Sequence, residues 1–447
     1  SLAVVSKTGF RLFSLNSVNS VEEIFSSHDE DTKIAERLFS SSLVAVVTTT
    51  EPNKLKVCHF KKGTEICNYI YPSEIMSVKL NRSRLIVCLL DSIYIHNIRD
   101  MSLLHSIKKL PNNIKGLCSL SLLSHLAFPI SSTSGELKVF DAGNIVSKIC
   151  IKAHDSLLSA MNFSMNGTLI ATASEKGTVI RVFCTKNGQK VHEFRRGVKR
   201  HVSIGSLNFS FCANYVCTSS NTETIHIFKI DPKSIENAER RNCIENVNTL
   251  SGSGDEDIHQ PQNDENQDQN GQQQSTWMMM DFFTKTVPSY FPTNVSDVLS
   301  QDRAFATVQL NQSGLKYECV ISKLEKETRL LLACEDGFLY IYDIDDVKGG
   351  ECKLVRAHDL RMPLHGVTEV DITGNDLENK KPMQSMTIST SIITPPGTYA
   401  AVLKGRPLDR MSADSDKCRD LREAVEYPPK SIFDDKQFPP VTPITAE

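Results

Sequence analysis

The sequence has one tryptophan in 447 residues, and that residue, Trp277, is not followed by aspartate. The Trp-Asp dipeptide of standard WD repeats is absent, so any repeat of that class must be degenerate. No apolar run approaches the roughly 20 residues that span a bilayer. The opening Ser1-Leu2-Ala3-Val4-Val5-Ser6 lacks the basic segment and long apolar stretch of a secretory leader. Thirteen cysteines are scattered without a Cys-x-x-Cys pair or a His-Cys metal spacing. That excludes the common zinc and redox motifs and fits buried thiols in a reducing cytosol. The net charge is only −3, which excludes bulk attraction to nucleic acid or anionic membrane and makes any anion binding local. There is no nucleophile elbow, Walker loop or paired-carboxylate arrangement, so the expectation is a protein that is not an enzyme and needs no metal or cofactor. Long amphipathic helices are missing from the first 230 residues, which argues against a parallel α/β fold.

What is present is a repeat. Short alternating phrases such as Leu137-Lys138-Val139-Phe140 and Ile180-Arg181-Val182-Phe183 recur, ending at Phe13, Phe60, His96, Phe140, Phe183, Phe228 and Tyr342. Each follows a shorter apolar strand and a turn. The spacing is near 40 to 45 residues except for the last step, and Lys152-Ala153-His154-Asp155 is echoed by Arg356-Ala357-His358-Asp359. Short strands at this period predict an all-β, seven-bladed WD40-like β-propeller over residues 1–359. The chain begins at Ser1 and enters almost at once on mid-blade sequence, so the first blade is expected to lack its innermost strand and the N-terminus to be incomplete. The long last step places an insertion, 231–302, in blade six.

The insertion changes character along its length. Ser251 to Asn270 carries six acids and no Lys or Arg, and 233–276 is expected to be disordered. Residues 277–292 then concentrate Trp277, Met280, Phe282, Phe283, Tyr290 and Phe291 in a loop. Such a patch suits burial at a membrane interface; the alternative is packing against its own propeller. After the last repeat, 360–447 is Ser/Thr-rich and aperiodic and reads as a disordered tail.

At Phe194-Arg195-Arg196-Gly197 an apolar strand ends in two arginines and a glycine. Neighbouring strand residues point to opposite faces, so the two guanidiniums must enter different pockets while Phe194 anchors the core. Guanidinium forks onto phosphate oxygens, which makes a splayed pair a candidate for twin phosphate sites. The alternative is solvated charge at a strand end.

A degenerate propeller with Phe194-Arg195-Arg196-Gly197 after its fifth blade and a long loop in its sixth resembles the PROPPIN family of polyphosphoinositide-binding propellers. Lys61-Lys62-Gly63-Thr64-Glu65-Ile66-Cys67-Asn68-Tyr69, Ser174-Glu175-Lys176-Gly177-Thr178-Val179-Ile180-Arg181-Val182-Phe183 and Ser219-Ser220-Asn221-Thr222-Glu223-Thr224-Ile225-His226-Ile227-Phe228 resemble its animal WIPI branch, over about residues 1 to 359. The resemblance implies two rim sites for phosphatidylinositol 3-phosphate and phosphatidylinositol 3,5-bisphosphate. The first would use Ser174, Gly177, Thr178, Arg181 and Arg195; the second would use Arg196, Gly197, His201, Ser220, Thr224 and His226. It also implies a peripheral place on phagophore (preautophagosomal) and endosomal membranes, and recruitment of an autophagy lipid-conjugation scaffold protein through a basic groove between blades two and three. Arg99 in Ile95-His96-Asn97-Ile98-Arg99-Asp100 would face an acidic helix there. Two other readings compete: a propeller that binds only proteins, with a structural Arg pair, and a nucleic-acid patch at 195–200, which the acidic balance disfavours.

Overall fold

The structure is a computed structural model that describes residues 1–28, 31–197, 201–248, 303–310, 312, 314–361 and 416–426, with side chains omitted at 241–248 and 426. Its strands form seven sheets in a ring. Blade 1 is β1 (Leu2–Ser6), β2 (Gly9–Leu15) and β3 (Val21–Ser27); blade 2 is β4 (Thr32–Arg37), β5 (Leu43–Thr48), β6 (Lys54–His59) and β7 (Thr64–Ile70). Blade 3 is β8 (Ile75–Leu80), β9 (Arg84–Leu89), β10 (Ile93–Asn97) and β11 (Leu103–Ile107); blade 4 is β12 (Ser119–Leu120), β13 (His125–Pro129), β14 (Gly135–Asp141) and β15 (Val146–His154). Blade 5 is β16 (Leu158–Phe163), β17 (Leu169–Ser174), β18 (Val179–Cys184) and β19 (Lys190–Arg195). Blade 6 is β20 (Ile204–Phe209), β21 (Tyr215–Ser220), β22 (Thr224–Lys229) and β23 (Ala306–Gln309); blade 7 is β24 (Tyr317–Leu324), β25 (Glu327–Cys334), β26 (Phe338–Asp343) and β28 (Lys353–Asp359). The short β27 (Gly350–Glu351) leaves blade 7 to pair in parallel with β23.

The seven repeated phrases are the third strands, β2, β6, β10, β14, β18, β22 and β26. Their alternation follows from the architecture: a third strand sends successive side chains toward the two neighbouring blades. In β18, Ile180 and Val182 enter the core shared with blade 6, while Phe183 enters the one shared with blade 4. Second strands such as Leu43–Thr48 are buried at every position, and outer strands such as Thr64–Ile70 are partly exposed. Blade 1 has three strands, and β1 takes a second-strand position beside β4. The ring closes where Leu2, Val4 and Phe13 of blade 1 pack with Leu331, Leu339 and Ile341 of blade 7. His358 binds the Val18 carbonyl across that seam at 2.8 Å, as His154 of the matching phrase binds the Thr172 hydroxyl of the next blade at 3.0 Å.

Two segments differ from the sequence expectation. The insertion was expected to be disordered from 233, but α1 (Pro232–Asn248) is helical. Asp231 caps it by accepting from the Lys233 N–H at 3.1 Å, Pro232 follows the cap, and Ala238 is buried with its carbonyl held by Asn187 at 2.8 Å. The tail expectation also fails at α2 (Asp416–Glu426), whose Leu421 and Ala424 enter the core between blades 2 and 3. Composition alone missed both because one packed face holds each helix. The proposed membrane loop, Trp277, Met280, Phe282, Phe283, Tyr290 and Phe291 included, lies outside the described residues.

Blades are also stitched by polar side chains. Asn81, fully buried, donates to the Ser121 carbonyl at 2.8 Å and the Ser124 hydroxyl at 2.9 Å and accepts from the Ser83 and Arg84 N–H groups at 2.8 Å each. Removing it orphans buried groups at about 1–3 kcal/mol each. Asn81→Ala is expected to lower unfolding free energy by at least about 2 kcal/mol in urea titrations; an unchanged midpoint would refute the stitch.

Candidate functional site

β19 fixes the arginines. Phe194 is 1% exposed and stacks on Phe228 of blade 6 with centroids 4.8 Å apart, His192 lying on its other side at 5.0 Å. The strand is closed at its end by Thr178, whose carbonyl accepts from the N–H groups of Arg196 at 2.9 Å and Gly197 at 3.3 Å. Gly177 supports the opposing turn: its φ is +62°, and a Cβ there would lie 2.1 Å from the Val202 carbonyl oxygen.

Arg196 follows the parity of Phe194 and points toward blade 6, where its guanidinium donates to the hydroxyls of Ser220 and Thr222. These two hydroxyls lie 2.9 Å apart. One proton serves the link between them, and the other is available to an anion. His226 is next on this face; burial, then the charge of Arg196, lowers its pKa to about 4. Its Nδ1 is buried without a hydrogen-bond partner among the described residues. Thr224 opens β22 and donates to Gln309 at 3.2 Å.

Arg195 takes the other face, with Arg181 and Glu193. Its Nη1 donates to the Gly197 carbonyl at 3.1 Å, and its Nε is buried with no hydrogen-bond partner among the described residues. Arg181 is already engaged by Glu193 at 2.7 Å and by the Ala153 carbonyl at 2.8 Å, and Lys190 shares the same carboxylate at 2.7 Å. Ser174 is buried, and its carbonyl accepts from Gly177 at 2.9 Å.

The structure thus brings Arg196 together with Ser220 and sets His226 within its electrostatic reach, and it places Arg181 and Arg195 on one face. Gly197 shapes the strand end. His201 lines a cavity of about 220 Å3 with Lys115, Ser159, Glu175, Val202 and Ser203, and Ser203 bonds Asn221 between Ser220 and Thr222. Two residues escaped the sequence reading: Thr222, whose signal is a second hydroxyl two places after Ser220, and Glu193, which shares strand parity with Arg195. Arg99 is exposed on the turn after β10, where its N–H is held by Asn97 at 3.2 Å. Among the described residues no His, Cys, Asp or Glu cluster could hold a metal, and no helix is long and apolar enough to cross a membrane.

The PROPPIN family model matches residues 1–252 and 244–361. The chain belongs to the PROPPIN family. It is 46% identical over 406 residues to WD repeat domain phosphoinositide-interacting protein 2 of Gallus gallus, covering 89% of this chain and 84% of that protein. It is 42% identical over 446 residues to WD repeat domain phosphoinositide-interacting protein 1 of Homo sapiens, covering 99% and 91%. Autophagy-related protein 18 of Caenorhabditis elegans is 35% identical over 335 residues, 73% of each chain. Among solved structures, Kluyveromyces lactis Hsv2 matches 80% of this chain and 95% of its own with TM-score 0.57 and 18% identity. A complex of KlAtg21 with the coiled-coil of AgAtg16 matches 80% and 99% with TM-score 0.56 and 24% identity. These structural likenesses carry the seven-bladed fold of the PROPPIN.

Burial, before any other cause, holds His96 down to about 3 and His154 to about 4. The unfolded chain takes up these protons near pH 6.5, so unfolding binds protons from there down to about 4 and stability falls with acid in that window. The expected slope is at most about 1.4 kcal/mol per pH unit for each histidine. Urea midpoints of the wild-type PROPPIN between pH 7 and 4 check this, and a flat profile would contradict neutral burial.

Proposed function

We propose that this PROPPIN is a non-enzymatic phosphoinositide effector. It binds phosphatidylinositol 3-phosphate and phosphatidylinositol 3,5-bisphosphate through two rim sites, peripherally on phagophore and endosomal membranes, and recruits autophagy machinery. The observation that carries the reading is the opposed pair: one strand end delivers Arg195 and Arg196 to separate faces, each beside groups suited to an anion. On the Arg196 side, Ser220, Thr222 and His226 would surround a phosphate with neutral donors about one charge, and Thr224 and Gly197 border it. On the Arg195 side, phosphate would compete with Glu193 for Arg181, with Ser174, Gly177 and Thr178 forming the adjoining turn. The printed names of the relatives, phosphoinositide-interacting and autophagy-related, agree with this reading.

One exposed headgroup pocket gives weak membrane attachment, and one apolar loop alone gives marginal anchoring. Two pockets joined to the 277–292 loop act as linked ligands, with avidity on the order of 10²–10⁴ over one site. The insertion leaves β22 after Lys229, at the opposite end from Thr224. The partner would be an autophagy lipid-conjugation scaffold protein, held in the groove between blades 2 and 3 near Arg99.

Co-sedimentation with vesicles tests the lipid reading. Wild type is expected to pellet with 3-phosphorylated but not 4-phosphorylated phosphatidylinositol. Each of Arg195→Ala and Arg196→Ala should weaken binding at least tenfold, and the double variant should stay soluble. Equal pelleting of wild type and double variant would favour the protein-only scaffold. Removal of one donor in Thr222→Val should cost about 1 kcal/mol, roughly fivefold. Phosphate beside Arg196 offsets the charge that helps hold His226 neutral while burial still holds it down, so binding raises its pKa, takes up a proton and tightens as pH falls toward about 4. His226→Gln is expected to flatten that dependence.

A further inference from the structure

The groove between blades 2 and 3 already holds a helix, α2 of this same chain. Leu421 and Ala424 are both 0% exposed, and they complete a core built by Tyr69, Tyr71, Tyr94, Ile98 and Met101. Val425 packs against the same surface. The Ser42 N–H donates to the Ala424 carbonyl at 3.2 Å, which satisfies one of the carbonyls that a helix end leaves open. On the outer lip, Lys62 pairs with Glu423 at 2.7 Å and lies 3.8 Å from Asp420. At the other end Lys417 is within electrostatic reach of Asp100, the neighbour of Arg99.

The fit reads out a ligand specification. The sequence Asp420-Leu421-Arg422-Glu423-Ala424-Val425 sets apolar residues at i, i+3 and i+4 against the groove and acids at i−1 and i+2 toward Lys62. Among the described residues Leu421, Ala424 and the half-buried Val425, a main-chain bond to Ser42 and an exposed ion pair with Lys62 help to hold an eleven-residue helix, a length too short to be stable alone in water. Away from the groove α2 would unfold, so occupancy and helix formation are one equilibrium.

We propose that α2 is an exchangeable internal ligand of the groove between blades 2 and 3, and that it excludes an acidic amphipathic helix of a partner until it is displaced. That the excluded helix belongs to the recruited autophagy partner rests on the functional reading above; the exchange itself does not. An occupant carried on the same chain competes at an effective concentration set by its connection rather than at its bulk concentration. A partner helix of micromolar intrinsic affinity would therefore bind the intact chain far more weakly than a chain whose α2 is released.

The test uses the full chain, its Leu421→Asp variant, and a fluorescein-labelled peptide of residues 412–430 as probe in anisotropy titrations. The Leu421→Asp chain is expected to bind the peptide at least tenfold more tightly than wild type. Adding Lys62→Glu should weaken that binding several-fold. Ala424→Glu serves as an independent release variant, and an unchanged melting temperature of the propeller shows that only α2 has moved. Equal peptide binding by wild type and both release variants, or no binding by any of them, overturns the proposal. An acidic coiled-coil fragment of Atg16 type forms a second arm. Tighter binding to the release variants supports exclusion, and equal binding to all chains overturns it. A fragment that binds no chain while the peptide still discriminates them refutes the recruitment reading and leaves the exchange standing.

Discussion

The stack of Phe194 on Phe228, 4.8 Å between centroids, ties the outer strand of blade 5 to the third strand of blade 6. Much of the rim depends on it. With Phe194 committed to the core shared by blades 5 and 6, the strand alternation leaves Arg195 and Arg196 no choice of side. A residue inserted between Phe194 and Arg195 would exchange the faces. The aromatic contact also holds His226 and Arg196 in one low-water environment, which depresses the histidine's proton affinity.

The two faces are not equivalent. Arg196 meets the hydroxyls of Ser220 and Thr222, which accept from its guanidinium and keep a donor free to turn to an anion. Arg195 shares its face with the Arg181–Glu193 pair, where a ligand must compete with a carboxylate fixed at 2.7 Å. A phosphate there would exchange one anion for another. On the Arg196 side two hydroxyls are turned to the guanidinium, although the sequence alone presents the arginines as a matched pair.

Legibility in the sequence followed the length scale of the interaction. The seven third strands were readable because each alternates between two cores, and a period-2 pattern survives without Trp-Asp dipeptides. The splay of Arg195 and Arg196 was readable for the same reason. Thr222 was not singled out, because its role depends on a turn folding back beneath a side chain 26 residues away. The helices α1 and α2 were hidden by different means. α1 begins with a cap at Asp231 but runs into an acidic, glutamine-rich stretch whose composition dominates. α2 has a short apolar stripe in a polar tail, and nothing local says that a groove more than 300 residues earlier completes it.

The seam between blades 7 and 1 has a consequence for how the chain is made. The His358 to Val18 bond joins residues 340 apart in sequence, and the core around Phe13 needs Leu339 and Ile341 to be buried. During synthesis at about 5–20 residues per second, that seam stays open for roughly 20–70 s after its first half has emerged. The earlier blades can pack pairwise as they appear, but blade 1 waits with one apolar face uncovered. The nascent chain is most vulnerable at blade 1, and the strands of blade 7 are what make the ring safe.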